Sequence, residues 1–145
     1  MHVGFTGTKE GMTTLQHEAF STWVDIKLSG RPITFHHGDC VGADKEADTE
    51  FRKFCGGMDI HPPKNPRFRA FCNRIETNIP TIVYEEKDYL YRNHDIVKAC
   101  RFMIGCPKEM KEIIRSGTWA TIRYAKKMGK PVVVFFPDGT FKENF

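Results

Sequence analysis

Three glycine-containing segments of the sequence combine residue types that suit the binding of an anion. Residues 4–8, 38–44 and 116–118 place glycine beside hydroxyl or acidic side chains. Glycine lets the backbone approach a bulky ligand, and the first amides of a helix have no carbonyl partner within it. We therefore expect a phosphate where these segments meet. Its candidate contacts are Thr6, Gly7, Thr8, Gly38, Asp39, Gly42, Asp44, Ser116, Gly117 and Thr118.

Arg92 and Asn93 add a guanidinium and an amide near the start of a predicted helix. The guanidinium can donate two parallel hydrogen bonds to two oxygens of one phosphate, and the amide can bond to a sugar hydroxyl or a base edge. A surface arginine with an asparagine cap is the alternative. None of the glycine segments reads GxxxxGK[ST] or GxGxxG, which disfavours P-loop triphosphatases and dinucleotide-dependent dehydrogenases.

The excess of positive charge lies in one segment of the chain. The 145 residues include 22 Lys and Arg and 18 Asp and Glu, a formal net charge of +4. Residues 61–75, the basic segment, contain no acidic side chain, and their basic residues are Lys64, Arg67, Arg69 and Arg74. We expect this segment to cover an anionic small-molecule site, with Lys64 in contact with the ligand. Phe68 and Phe71 alternate with these charges, so binding of single-stranded nucleic acid is the alternative. A net charge of only +4 does not demand that alternative.

Neither a metal nor a cofactor is expected from the histidines and cysteines. His36 and His37 lie near Asp39, but neighbouring residues of a strand point to opposite faces and do not easily ligate one ion. The five cysteines are an odd number without a CxxC pair, which favours reduced thiols in a cytoplasmic protein. The longest apolar run, residues 131–137, is far shorter than the roughly 20 residues that cross a bilayer, so no membrane partner is expected.

Alternating strands and helices must position these segments. We predict strands at residues 2–5, 33–36, 58–61, 81–84, 102–105 and 132–136, and helices at 14–28, 43–54, 68–75, 89–100 and 119–128. Near-continuous apolar strands are typical of a parallel sheet covered on both faces. We therefore predict a single domain, residues 1–145, with a Rossmann-like α/β fold: a doubly wound, mainly parallel sheet with helices on both faces. Such sheets bind ligands beyond the carboxyl ends of the strands, where the strand order reverses.

The first predicted helix has the clearest local pattern. Thr13 and Gln16 have the types and spacing of a capping box. Apolar residues then recur at helical spacing and predict one buried face, formed by Leu15, Ala19, Phe20, Trp23 and Val24.

Several motifs together resemble one known group of proteins. GFTGTKEGMT, HHGDCVGAD, HPP, YLYRNHDIV and RSGTWATIRYAKKMGKPVVVFFPDG follow one another through most of the chain. They resemble the SLOG superfamily, a Rossmann-like group that includes DprA-type DNA-processing proteins and LOG-type nucleotide phosphoribohydrolases, and especially its small stand-alone nucleotide-binding members. The resemblance implies a nucleotide or nucleotide-derived ligand at the carboxyl edge of the sheet, and a homodimer or higher homo-oligomer.

The resemblance also implies a reaction, hydrolysis of the N-glycosidic bond of a nucleoside 5′-monophosphate. In the phosphoribohydrolases an arginine on a helix and a glutamate act on the nucleotide. Arg92 matches that arginine, whereas Thr121 stands at the place of the glutamate. We expect a carboxylate such as Asp95 or Glu112 to replace the glutamate, and the alternatives are Asp39, Asp44 and Glu109. The alternatives are a non-catalytic sensor or sequestering protein, and a DprA-like protein that binds and processes single-stranded DNA.

Overall fold

Strands and helices alternate along the chain in the computed structural model, which describes residues 1–144. The strands are β1 (His2–Gly7), β2 (Thr34–His37), β3 (Gly57–Ile60), β4 (Thr81–Val83), β5 (Phe102–Cys106), β6 (Val132–Phe135) and β7 (Phe141–Asn144). The helices are α1 (Thr14–Lys27), α2 (Ala43–Phe51), α3 (Tyr89–Ala99) and α4 (Gly117–Lys127). Within the described residues, no helix is long and apolar enough to cross a membrane.

The strands form one sheet whose order is β4-β3-β2-β1-β5-β6-β7. β1 to β6 run parallel, and β7 pairs antiparallel with β6. The chain fills one side of β1 with β2, β3 and β4 before it crosses to β5 on the other side. The predicted α/β class and mainly parallel sheet are therefore confirmed, and the strand order reverses between β1 and β5, where such sheets bind ligands.

Apolar cores cover both faces of the sheet. On one face, Phe35 of β2 stacks on Phe51 of α2 with ring centroids 3.7 Å apart, and Phe20 of α1 packs edge-on against Phe5 of β1. On the other face, α3 packs on β1, and α4 packs on β5 and β6. This core contains Ile96, Val97, Cys100, Met103, Trp119, Ile122, Ala125, Val132 and Val134. Burial from both sides explains why these strands are almost continuously apolar.

The capping box predicted at the start of α1 is present. Thr13 accepts a hydrogen bond from the Gln16 amide at 3.0 Å, and the Gln16 side chain accepts one from the Thr13 amide at 3.3 Å. The side-chain amide of Gln16 is buried and donates to the carbonyl oxygens of Pro107 and Phe135 at 2.9 and 2.7 Å. One glutamine therefore both caps α1 and joins it to the ends of β5 and β6.

The buried face of α1 differs from the prediction at one residue. Phe20, Trp23 and Val24 are buried, but Leu15 is 57% exposed and its neighbour Gln16 is 1% exposed. Successive residues of a helix point about 100° apart, so the inward position of Gln16 turns Leu15 toward solvent. The prediction that Leu15 is buried is wrong.

Two further parts of the chain differ from the prediction. Residues 68–75 are not a helix but form parts of two 3₁₀ turns, Pro66–Phe68 and Cys72–Arg74. Phe71 lies between the turns with φ of 57°, a left-handed conformation that interrupts a helix. At the other end, β7 was not predicted; it follows a turn at Asp138 and Gly139, residue types that favour reversal of the chain.

Candidate functional site

A cleft of about 450 Å³ lies at the carboxyl ends of β1, β2 and β5, where the strand order reverses. The starts of α3 and α4 form its other walls. Small-molecule sites commonly have volumes of about 300–1,000 Å³. The structure brings together around this cleft the predicted residues Thr6, Gly7, Thr8, Gly38, Asp44, Arg92, Asn93, Ser116, Gly117 and Thr118.

Three other predicted contact residues, Asp39, Gly42 and Lys64, lie outside the lining of the cleft. Asp39 is completely buried. Its carboxylate accepts hydrogen bonds from Arg69 Nε at 2.8 Å and from the Cys72 amide at 2.9 Å. Asp39 therefore fixes the basic segment to the loop after β2.

The glycines of the loop after β2 are required by packing within the protein. Gly42 has φ of +86°, and a Cβ there would lie 2.3 Å from the carbonyl oxygen of Lys9. A Cβ at Gly38 would lie 2.5 Å from Nη1 of Arg92. These glycines therefore permit a close backbone approach and a buried guanidinium, and their presence alone is no evidence of a phosphate.

The amides of the loops after β1 and β2 are largely engaged within the protein. The Cys40 amide donates to the Asp44 carboxylate at 3.1 Å, and the Val41 amide donates to the carbonyl of Phe68 at 2.8 Å. The Thr8 amide donates to the carbonyl of Cys106 at 3.0 Å. These loops shape the cleft, and these three amides already have partners within the protein.

The start of α4 is the part of the cleft best suited to an anion. Ser116 caps the helix, since its Oγ accepts a hydrogen bond from the Trp119 amide at 3.1 Å. Gly117 is the first helical residue and is exposed, and a Cβ added to it would meet no atom within 4 Å. Thr118 follows with its hydroxyl group. The first amides of a helix lack partners within the helix and carry the positive end of its dipole, so an anion is favoured here.

The buried side chain of Arg92 joins α3 to the carboxyl ends of β2 and β3. Its side chain is 4% exposed. Nη1 donates to the carbonyl oxygens of Gly38 and His61, and Nε donates to Asn93 Oδ1 at 2.7 Å. Arg92 also separates the cleft from a second cavity of about 550 Å³. Nη2 in turn donates to Cys40 Sγ at 3.7 Å. All three guanidinium nitrogens therefore have partners within the protein, and a two-pronged contact with a phosphate stays a prediction.

Further residues also line the cleft: Phe5, Lys9, Glu10, Cys40, Phe68, Tyr89, Lys108, Glu109, Ile113 and Arg115. The Lys9 ammonium lies 4.2 Å from the centroid of the Phe68 ring, and Lys108 pairs with Glu10 at 2.8 Å. Lys9 and Glu10 directly follow the first glycine segment, and Arg115 directly precedes the third. Two more residues at each end of the glycine segments would include Lys9, Glu10 and Arg115.

The carboxylates predicted for catalysis lie away from the cleft. Asp95 pairs with Lys87 at 2.6 Å and lines the second cavity, and Glu112 pairs with Arg123 at 2.9 Å near the surface. Thr121 is buried and donates its hydroxyl hydrogen to the carbonyl of Gly117, one turn earlier in α4. The carboxylates that do line the cleft are Glu10, Asp44 and Glu109.

Asp44 and Cys40 bring two buried titratable groups to the cleft. Burial raises the pKa of the Asp44 carboxyl. Burial and the neighbouring Asp44 raise the pKa of the Cys40 thiol to about 11. The thiolate is the reactive form of cysteine, so Cys40 is a neutral, unreactive part of the wall at neutral pH. All five cysteines are free and buried.

The basic segment contributes one aromatic ring to the cleft. Phe68 lines the cleft, whereas Lys64 lies outside it. Arg69 pairs with Asp39 at 2.8 Å, and the Arg74 guanidinium lies 4.1 Å from the centroid of the Phe71 ring. The segment is therefore a wall of the cleft, fastened to the loop after β2, and the contact of Lys64 with a ligand stays a prediction.

His36 and His37 point to opposite faces of β2, as expected from strand alternation. His37 Nε2 donates to Asp48 at 2.7 Å, whereas the His36 ring bonds to the rings of His2 and His61 at 2.7 and 2.9 Å. Burial lowers the pKa of His36 to about 4, and burial together with His36 lowers the pKa of His61 to about 3. Both imidazoles are therefore neutral at neutral pH.

The fold and the cleft define the class of this protein: an α/β protein with a Rossmann-like sheet and a cleft at the point where the strand order reverses. No protein-family model, no curated protein and no solved structure matches the chain.

Proposed function

We propose that this protein binds a phosphorylated nucleotide or nucleotide derivative in the cleft at the carboxyl edge of the sheet. The observation that carries the proposal is the start of α4, where the exposed Gly117 and the hydroxyl of Thr118 meet the cleft at the reversal of strand order. Helix starts are common phosphate sites, and such reversals are where open parallel sheets bind ligands. The phosphate lies against residues 116–118 in this proposal.

The rest of the cleft suits the remainder of a nucleotide. Phe68 and Tyr89 offer aromatic faces to a base, and the Asn93 amide offers a donor and an acceptor to a sugar or a base edge. Lys9 and Arg115 add cations near the mouth. The resemblance to the SLOG superfamily supports the same ligand class, because four of the motifs that carry it supply walls of this cleft.

Binding without turnover is the form of the proposal that the geometry supports best. Asp95 and Glu112 lie outside the cleft, and the donors of Arg92 are largely engaged within the protein. A sensor or sequestering protein needs neither a catalytic carboxylate nor a catalytic arginine. Hydrolysis of an N-glycosidic bond is a second candidate, favoured by the carboxylates of Glu10, Asp44 and Glu109 in the cleft. Self-association stays a prediction.

Isothermal titration calorimetry with AMP, ADP, ADP-ribose and a cyclic dinucleotide tests the proposal, with adenosine and a set of guanine nucleotides alongside. We expect at least one phosphorylated compound to bind with one site per chain and its phosphate-free nucleoside to bind far more weakly. Thr118→Val removes a hydroxyl at nearly constant shape and should weaken binding by about tenfold or more, because a hydrogen bond to a charged group contributes about 1.5–3 kcal/mol.

A pair of charge-matched variants separates a local contact from a general charge effect. Arg115→Gln removes an exposed cation of the cleft, and Arg31→Gln removes an exposed cation far along the chain from it. Arg115→Gln should weaken binding about two- to fivefold, since an exposed ion pair contributes up to about 1 kcal/mol, and Arg31→Gln should not. Absence of binding by every phosphorylated compound would overturn the proposal.

Chromatography of the same mixtures distinguishes binding from hydrolysis. Free base released from a bound monophosphate, and lost in Glu109→Gln, would establish the second candidate. Binding with intact nucleotide after prolonged incubation would establish a sensor or sequestering function.

A further inference from the structure

Three side chains that can ligate a metal converge on one face of the sheet, from three adjacent strands. They are His2 of β1, His36 of β2 and Asp59 of β3. His2 Nδ1 lies 2.7 Å from His36 Nε2, and His36 Nε2 lies 3.6 Å from Asp59 Oδ2. Each side chain offers one ligand atom, and all three atoms lie within 4.8 Å of one another. This face is opposite to the one on which Phe35 packs against α2.

The spacing of the three atoms fits a small divalent ion. Zinc binds imidazole nitrogen and carboxylate oxygen at about 2.0–2.2 Å, which places neighbouring ligands of a tetrahedral ion about 3.3 Å apart. The observed separations of 2.7 and 3.6 Å bracket that value. His36 and Asp59 are 1% and 5% exposed, whereas His2 is exposed. His2 can therefore shift by the few tenths of an ångström required, and the ion has a path from solvent.

The hydrogen bonds around His36 and Asp59 are those that orient metal ligands. The second ring nitrogen of His36, Nδ1, meets His61 Nε2 at 2.9 Å, and the hydroxyl of Tyr84 donates to Asp59 Oδ2 at 2.7 Å. His61 in turn stacks on Tyr84 with ring centroids 4.4 Å apart. A ligating histidine usually bonds through its other ring nitrogen, and a ligating carboxylate is itself hydrogen-bonded. Both conditions are met here.

A second cluster in the protein, His37, Asp48 and Cys72, shows what distinguishes the first. Its atoms also lie close together, but all three residues are fully buried. Arg52 donates to both carboxylate oxygens of Asp48, and His37 donates to the same carboxylate. The cations and hydrogen-bond donors around Asp48 already fill the position that a metal ion would take.

We propose that His2, His36 and Asp59 bind one divalent transition-metal ion of the zinc type, with a fourth coordination position open to solvent. Two imidazoles and a carboxylate are a donor set that zinc favours, and three protein ligands with one open position are typical of accessible zinc sites. The ion joins β1, β2 and β3 at the amino-terminal end of β1. The site is separate from the cleft, and the proposal does not depend on nucleotide binding.

The test is binding of ZnCl₂ and CoCl₂ to protein that carries no polyhistidine tag, because a tag would bind the same ions. We expect one equivalent of zinc to remain with the protein through gel filtration. Cobalt should give the visible absorption of a four-coordinate ion, which zinc should abolish by competition. Thermal unfolding should shift to higher temperature with zinc, because an ion that binds only the folded state stabilises it.

His2→Ala removes an exposed ligand and should keep the fold, as checked by circular dichroism. It should weaken zinc binding at least about 100-fold, since removal of hydrogen-bond partners of ligands alone costs about 10–100-fold. Tyr84→Phe removes the hydrogen bond that orients Asp59 and should therefore weaken zinc binding about tenfold. The matched control is His94→Ala, which removes a histidine stacked on Tyr124 outside the cluster and should leave zinc binding unchanged.

Asp59→Asn excludes a simpler arrangement at the N-terminus. A chelate formed by the terminal amine and His2 alone would survive Asp59→Asn, whereas the proposed site would lose the ion. The proposal is overturned if wild-type protein retains no zinc, if Asp59→Asn and Tyr84→Phe bind zinc as wild type does, or if His94→Ala weakens binding as much as His2→Ala.

Discussion

The guanidinium of Arg92 lies directly against Gly38, so closely that a Cβ at residue 38 would lie 2.5 Å from Nη1. The same nitrogen donates to the carbonyl oxygen of Gly38. The absence of a side chain at residue 38 therefore creates the space in which α3 is fastened to the loop after β2. This contact lies in the wall of the cleft, so it links the stability of the fold to the shape of the site.

The first prediction is that Gly38→Ala destabilises the protein through Arg92. The added methyl group displaces a buried guanidinium, and overpacking of this kind costs roughly 1–3 kcal/mol. In an Arg92→Ala background the same substitution should cost less, because its clash is gone. The difference, a coupling of about 0.5–3 kcal/mol for residues in contact, is measured by urea unfolding of both single variants and the double variant.

Gly56→Ala is the matched control for that cycle. A Cβ at Gly56 would meet its nearest atom at 3.7 Å, an ordinary contact, so its effect should stay within about 0.5 kcal/mol. Equal costs of Gly38→Ala with and without Arg92 would show that the clash with the guanidinium is not the cause.

The second prediction concerns acid stability and Asp48. Burial raises the pKa of Asp48, but hydrogen bonds from His37 and Arg52 outweigh burial and hold this pKa below its ordinary value of 3.8. A carboxyl group with a lowered pKa stabilises the fold fully above its unfolded pKa, and this contribution is lost as pH falls through the folded-state pKa. Asp48→Asn should therefore cost about 3–5 kcal/mol at pH 7, as does removal of one partner of a buried ion pair.

The difference between Asp48→Asn and wild type should narrow as pH falls below about 4, because the carboxyl of the unfolded state is protonated there, and it should vanish once pH falls below the lower folded-state pKa. Free energies of unfolding from guanidinium titrations between pH 7 and pH 3 measure this. Glu112→Gln, which breaks an exposed pair with Arg123, should cost less than about 1 kcal/mol. A difference for Asp48→Asn that stays constant down to pH 3 would contradict the assigned origin.

The order of elements was predictable because local patterns are decisive there. Thr13 and Gln16 cap α1 through atoms three residues apart, and the apolar run of β6 requires burial on both faces. The partners of Gln16 and Asp39 were not predictable, because they depend on strand register and on residues far along the chain. Asp39 illustrates the limit: an acidic residue in a glycine loop suggests a ligand contact, yet its carboxylate binds Arg69, thirty residues away.

The third prediction tests the cap of α1. Thr13→Ala removes the acceptor for the Gln16 amide and the donor to the Pro137 carbonyl, which lies 2.6 Å away. It should destabilise the protein by about 0.5–2 kcal/mol, and Thr13→Ser should recover most of the loss. Thr22→Ala, at an exposed position within α1, should be neutral or slightly stabilising because alanine favours helix. Thermal unfolding of the three variants measures these changes in stability. Equal destabilisation by Thr13→Ala and Thr22→Ala would exclude capping as the cause.

The fourth prediction separates binding from stability at Gly117. In the free protein a Cβ at this residue meets no atom within 4 Å, and the backbone needs no glycine conformation. Alanine is favoured over glycine in a helix by about 0.5–1 kcal/mol, so Gly117→Ala should leave the protein as stable as wild type or slightly more stable.

The methyl group of Gly117→Ala enters the part of the cleft where we place the phosphate. Nucleotide affinity should therefore fall about tenfold, a loss of about 1.4 kcal/mol, measured by calorimetry beside Gly56→Ala, whose affinity should match wild type. Unchanged affinity with unchanged stability in Gly117→Ala would move the phosphate away from the start of α4.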